Sequence, residues 1–129
     1  MPFKWKEYYY LASFLSKVTG WEEVSADGAR RASVSRAYFA AFGHAKAHAK
    51  QQWGFHGSGY GEDHGALRNE FRRQRRREVA ERLENLRLWR NKCDYDEQVS
   101  NLRDLTINSV QAAREVINLL TYPPDSPVA

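Results

Sequence analysis

The sequence holds one cysteine, Cys93, and four prolines, three of which fall in the last eight residues. A lone cysteine excludes an internal disulfide and suits a reducing compartment. Between residues 3 and 122 no proline interrupts a helix, which favours an all-helical chain. No apolar run approaches the roughly 20 residues of a membrane span. Lys4, Lys6 and Glu7 stand among the N-terminal aromatics, where a secretory signal would need an apolar core. Repeats and low-complexity linkers are also missing. The expectation is a cytoplasmic protein without membrane contact. Its 129 residues suit one domain that buries about two-thirds of its unfolded surface.

What is present is helical periodicity. Trp5, Tyr8, Leu11, Ala12, Leu15 and Val18 lie at helical spacing, with Gly20 as a stop. Ser25 or Asp27 is placed to cap a second, long helix that runs to about Gln52. Its alanines and aromatics (Ala29, Ala32, Val34, Tyr38, Phe39, Ala41, Phe42, Ala45) leave few directions without an apolar residue. Such a helix is buried on several sides and belongs at the centre. A loop with Gly54, Gly57, Gly59 and Gly61 follows. A short helix is expected over Asp63 to Arg73, another over Arg76 to Asp94, and a last one over Glu97 to Leu120. The last carries Val99, Leu102, Thr106, Ala113, Ile117 and Leu120 on one side. No strand pair is apparent. The predicted fold is all-α, an up-and-down bundle of four main helices plus one short helix over residues 1–121. An extended or disordered tail is expected over 122–129.

The net charge of +4 is modest but unevenly placed. Between Arg68 and Arg90, nine arginines face four glutamates, so this segment accounts for the whole excess. Arg72, Arg73, Arg75, Arg76 and Arg77 form a cluster of the kind that attracts phosphate backbones, with no interleaved aromatic for base stacking. Further along, Val79, Leu83, Leu86 and Cys93 make one apolar stripe, which reads Cys93 as a small buried hydrophobe. Arg90 lies about 20° from Val79 on that helix and points with the stripe. Two readings fit it: a rim arginine that extends to water, or a buried one that needs a partner. Asp94, one turn later, can be that partner, or can cap the last helix together with Glu97.

These residues carry a resemblance. Ser33-Val-Ser-Arg-Ala-Tyr-Phe-Ala-Ala-Phe42 is similar to the signature on the second helix of HEPN-domain proteins. Gly61-Glu-Asp-His64-Gly resembles the glycine-and-histidine loop that follows it, and Arg90-Asn-Lys-Cys-Asp94-Tyr95 resembles their Arg-x-x-Ala-Asp-Tyr motif, with Cys93 in place of alanine. The match runs in order across residues 5 to 120. It implies a HEPN-like helical homodimer, often a metal-independent ribonuclease of toxin–antitoxin or defence systems paired with a nucleotidyltransferase or other antitoxin-type protein. Other members bind RNA or nucleotides, or serve as non-catalytic, antitoxin-like or scaffold partners. No metal or cofactor is implied.

In nucleolytic members four to six residues separate the arginine from a downstream histidine. Here no histidine follows His64, and Tyr95 stands where it would be. Tyrosine, with an ordinary pKa of about 10, is a poor base at neutral pH. One route restores catalysis: Arg90 facing the phosphorane charge, Tyr95 as donor and His64 as base. Tyr95 also fits a buried anchor, and His64 an ordinary loop residue. Asn91 and Arg72 to Arg77 are expected to contact RNA, so that binding weakens steeply between about 50 and 200 mM salt. Ser35, Arg36 and Asp94 are expected to organise the site, with Arg36 pairing with Asp94 or with an acid across a dimer interface. His44 and His48 have metal-ligand spacing but neither the intervening glutamate nor a third ligand. The glycines precede no Lys-Ser/Thr pair, so a phosphate-binding P-loop is not supported.

Overall fold

Order along the chain is α1 (Lys6–Leu15), a hairpin of β1 (Gly20–Trp21) and β2 (Val24–Ser25), then α2 (Ala26–Trp53), α3 (Asp63–Arg73), α4 (Arg77–Tyr95) and α5 (Leu102–Leu120). The computed structural model describes residues 2–121 and 128–129. Among these, α2 packs against each of the other four helices. Its all-round apolar texture therefore marks a central helix, with Ala37, Tyr38, Ala40, Ala41 and Ala45 at or near zero exposure. The stripe on α4 also faces inward, with Val79, Leu83, Leu86 and Cys93 all buried. No described helix is long and apolar enough to cross a membrane.

Several boundaries differ from the sequence reading. Helix α1 buries Tyr9 and Ala12 and leaves Leu11 at 41% exposure, so its inner face lies beside the expected one. It ends before Gly20, which pairs with Ser25 in the hairpin. Two residues per strand are too few to show alternation, which is why no strand pair was visible. Ser25, not Asp27, caps α2: the Gly28 N–H donates to Ser25 Oγ at 3.0 Å. Helix α5 starts at Leu102, after Asn101 in the left-handed region (φ 56°), not at Glu97. Asp94 lies inside α4 and so does not cap α5.

Arg31 explains the delayed start of α5. From α2 its guanidinium donates to the carbonyls of Cys93 (2.9 Å), Asp96 (2.6 Å) and Glu97 (2.9 Å). A cation on these C-terminal carbonyls satisfies orphan acceptors and opposes the helix dipole. It thereby fixes the end of α4, where Arg90 to Tyr95 lie.

Close approach is also set at the other face of α2. A Cβ on Gly43 would overlap the indole of Trp5, so glycine is needed for the N-terminal aromatic group of Phe3, Trp5 and Tyr8 to seat there. The expected free tail is corrected at its last two residues. Val128 is buried, its N–H donates to Asn118 Oδ1 at 2.8 Å, and the Tyr9 hydroxyl donates to the Ala129 carbonyl at 2.7 Å. The rest of that expectation, 122–127, lies outside the described residues.

Candidate functional site

Asp63 begins the construction of the site. Its carboxylate accepts from the Ser58 N–H (2.7 Å), the Ser58 hydroxyl (2.8 Å), the Gly59 N–H (2.8 Å) and the Lys46 ammonium (3.4 Å). These donors hold its pKa far below the ordinary carboxylate range, the Ser58 hydroxyl first among them. A Cβ on Gly57 would collide with the same carboxylate. The glycine loop is thus wound around a fixed charge, and the next residue, His64, enters α3 in a defined position.

His64 is not a loose loop histidine. Its ring stacks on Phe42 (centroids 4.3 Å apart, planes at 20°) and on Tyr38 (5.5 Å, 20°). Its Nδ1 is hydrogen-bonded to the Tyr38 hydroxyl. Burial lowers its pKa first, then Arg90, Arg68 and Arg87, with Asp63 opposing, so the neutral imidazole is favoured. Burial pushes the Tyr38 phenol up to about 12, which keeps it protonated.

His64 opens onto a pocket of about 410 Å³ between the start of α3 and the end of α4. Arg68, Arg87, Arg90 and Asn91 line it, with Gly61 and Glu62 at its edge. Arg68 Nε lies 2.6 Å from Glu84 Oε2, and Arg90 Nε lies 2.8 Å from Asp94 Oδ2. In both ion pairs the N–H is poorly aimed at its oxygen, so the pairing is electrostatic more than a directed hydrogen bond. Arg90 also lies 5.1 Å from the Phe39 ring and 5.7 Å from the Tyr95 ring, and donates to Asn91 Oδ1 at 3.2 Å. It is therefore partnered as the spacing allowed, with its side chain at 22% exposure. Arg87 differs. Its Nε is likewise buried without a hydrogen bond, but no carboxylate pairs with it among the described residues.

The expected residues thus divide. His64, Arg90 and Asn91 come together, and Asp94 organises Arg90. Tyr95 is 72% exposed, so the buried-anchor reading is overturned: α4 ends with its ring in a neighbouring groove beside Leu88, Trp89 and Lys92. Arg36 does not pair with Asp94. It lies over Tyr8 (4.7 Å) and Phe39 (5.3 Å), and the Asp94 carboxylate pairs with Arg90 instead. Ser35 is buried beside it and accepts a long contact of 3.5 Å from Arg36.

Arg72, Arg73, Arg75, Arg76 and Arg77 surround the α3–α4 turn, at the opposite end of α4 from Arg90. Thirteen residues of helix put about 20 Å between Arg77 and Arg90. Arg73 is tied to Glu70, Arg76 to Glu78 and Arg72 to Asn69. His44 and His48 form no metal group among the described residues, and His48 packs against Trp53 and Phe71.

Sequence reasoning missed Arg68, Arg87 and Tyr38. The signal was spacing: Arg87 is three residues before Arg90, and Arg68 four after His64, so each pair shares a helix face. The chain matches no family model, no curated protein and no solved structure.

Proposed function

We propose that the chain is a HEPN-like RNA-binding protein whose pocket beside His64 holds a phosphodiester of single-stranded RNA. The observation that carries this reading is Arg87, a half-buried guanidinium whose Nε has no partner among the described residues, in a pocket it shares with two other arginines. An unmade hydrogen bond on a charged group is costly, and an anion in the pocket would supply it. Charge favours a diester over a free nucleotide. Glu84 and Asp94 offset Arg68 and Arg90, Arg87 leaves one positive charge, and Glu62 stands at the rim. A diester carries a single negative charge, whereas a terminal phosphate carries about −1.5 to −2 at neutral pH. The exposed Tyr95 ring beside Arg90 offers a stacking surface for an adjacent base. The motif resemblance adds a homodimer and a nucleotidyltransferase or other antitoxin-type partner.

Salt dependence tests this reading. If the pocket engages about two phosphates, affinity for a short single-stranded RNA falls roughly sevenfold between about 50 and 200 mM salt. No measurable RNA binding at the lower salt would reject the proposal. A loss of a hundredfold or more would instead bring the Arg72 to Arg77 cluster into the interface and displace the pocket as the main contact.

A second reading, a metal-independent ribonuclease of toxin type, is favoured by one further observation. An imidazole shares the pocket with three guanidiniums, which sets several hydrogen-bond donors around the place where phosphorane charge would develop.

A further inference from the structure

Tyr38 does not line the pocket but is hydrogen-bonded to His64, which does. It is 1% exposed, and its hydroxyl has one hydrogen-bond partner among the described residues, His64 Nδ1. The direction of that bond decides what His64 offers to a ligand. A phenol is a far better donor than acceptor, and an unprotonated imidazole nitrogen is a far better acceptor than a phenol oxygen. The O–H···Nδ1 arrangement is therefore the stronger pairing. Neutral imidazole carries one proton, so it then resides on Nε2.

We infer that Tyr38 is a positioning residue that holds His64 in the Nε2–H form, so that the imidazole meets an anionic oxygen in the pocket as a hydrogen-bond donor. This rests on reading the pocket as a phosphate site. The stack of Tyr38, Phe42 and His64 fixes the ring plane, and the hydroxyl fixes the tautomer. The charged groups around the ring are Arg68 on α3, Arg87 and Arg90 on α4, and Asp63 next to it in the chain. A bare lone pair on Nε2 would repel a phosphate oxygen, whereas Nε2–H joins the arginines in binding it. The sequence reading gave His64 the role of a base; this geometry makes it a donor.

Long-range proton–nitrogen NMR of histidine side chains tests the inference directly. In the unaltered protein at neutral pH, His64 should show a protonated Nε2 and an unprotonated, acceptor-type Nδ1. A proton on Nδ1 would overturn the inference whatever any variant does. Tyr38→Phe keeps the ring and removes the donor. It should move both nitrogens towards averaged shifts and raise the His64 titration midpoint, because a bond to the neutral form is lost. Unchanged nitrogens and midpoint would also overturn it. In the same samples, Tyr38→Phe should weaken binding of a short oligouridylate by about 2- to 10-fold, and equal affinity would remove Tyr38 from the binding site. If the unaltered protein binds no oligouridylate, the phosphate reading fails separately, and the tautomer measurement still decides what Tyr38 does to His64.

Discussion

Arg87→Leu is expected to weaken binding of a short single-stranded RNA by about 10- to 100-fold, the range for losing a charge-assisted hydrogen bond. The same change should raise the melting temperature of the RNA-free protein. Arg87 shares one pocket with Arg68 and Arg90 and, among the described residues, has a buried Nε without a partner and lacks the carboxylate that each of those two has. Leucine keeps most of the apolar stem on α4 and removes the unpartnered charge. Binding sites commonly hold groups that cost stability, so a gain in one property with a loss in the other is the signature of function. A protein that melts lower and binds as before would make Arg87 a structural residue. Isothermal titration and a thermal melt on one preparation read both quantities.

The second large effect concerns cleavage. Under the ribonuclease reading, His64→Ala and Arg90→Ala should each reduce RNA cleavage by about 100-fold or more, in the range of a lost oxyanion-stabilising group. Tyr95→Phe should leave the rate within about threefold, because Tyr95 is 72% exposed and lines the adjoining groove and not the pocket that His64 lines. A chelator should leave the rate unchanged. If Tyr95→Phe matched His64→Ala, the reacting group would lie in that groove. If RNA is bound but never cut, and expression leaves growth unaffected, the chain is a binding partner that keeps the pocket without the chemistry.

The two outcomes trace back to what the sequence made visible. Helix α3 has its expected limits because Asp63, His64 and the glycines before them mark its start and the apolar pair Leu67 and Phe71 its inner face. The α4 stripe was readable for the same reason, and so was the Arg90–Asp94 pair, since four residues is one turn. The buried-anchor reading of Tyr95 failed because periodicity says nothing about where a helix ends against its neighbours. Arg31 fixes that end from 62 residues away in sequence. The start of α5 was set too early for the same reason: Glu97 is helix-favourable locally, yet its carbonyl is held by Arg31.

The arginine cluster shows a different limit. Arg72 to Arg77 dominate the linear charge pattern, but a turn separates α3 from α4 and carries them to the far end of the hairpin. Antiparallel packing brings the sparser arginines, 68, 87 and 90, to His64. Charge density along a sequence and charge density in a pocket are therefore different quantities. Helix register decides the second. The hydrogen bond from Tyr38 lay within the Ser33 to Phe42 segment already singled out, but its partner is 26 residues away on another helix.

The central claim is that the pocket beside His64 is where RNA binds. The most direct test is a titration of the isotope-labelled protein with a short single-stranded RNA, following backbone amides and arginine Nε–H groups by NMR. The account predicts that the largest shifts fall on Gly61 to Arg68 and on Arg87 to Asn91, with Arg87 Nε–H strongly perturbed. Shifts confined to Arg72 to Arg77, with Arg87 and His64 unmoved, would contradict it.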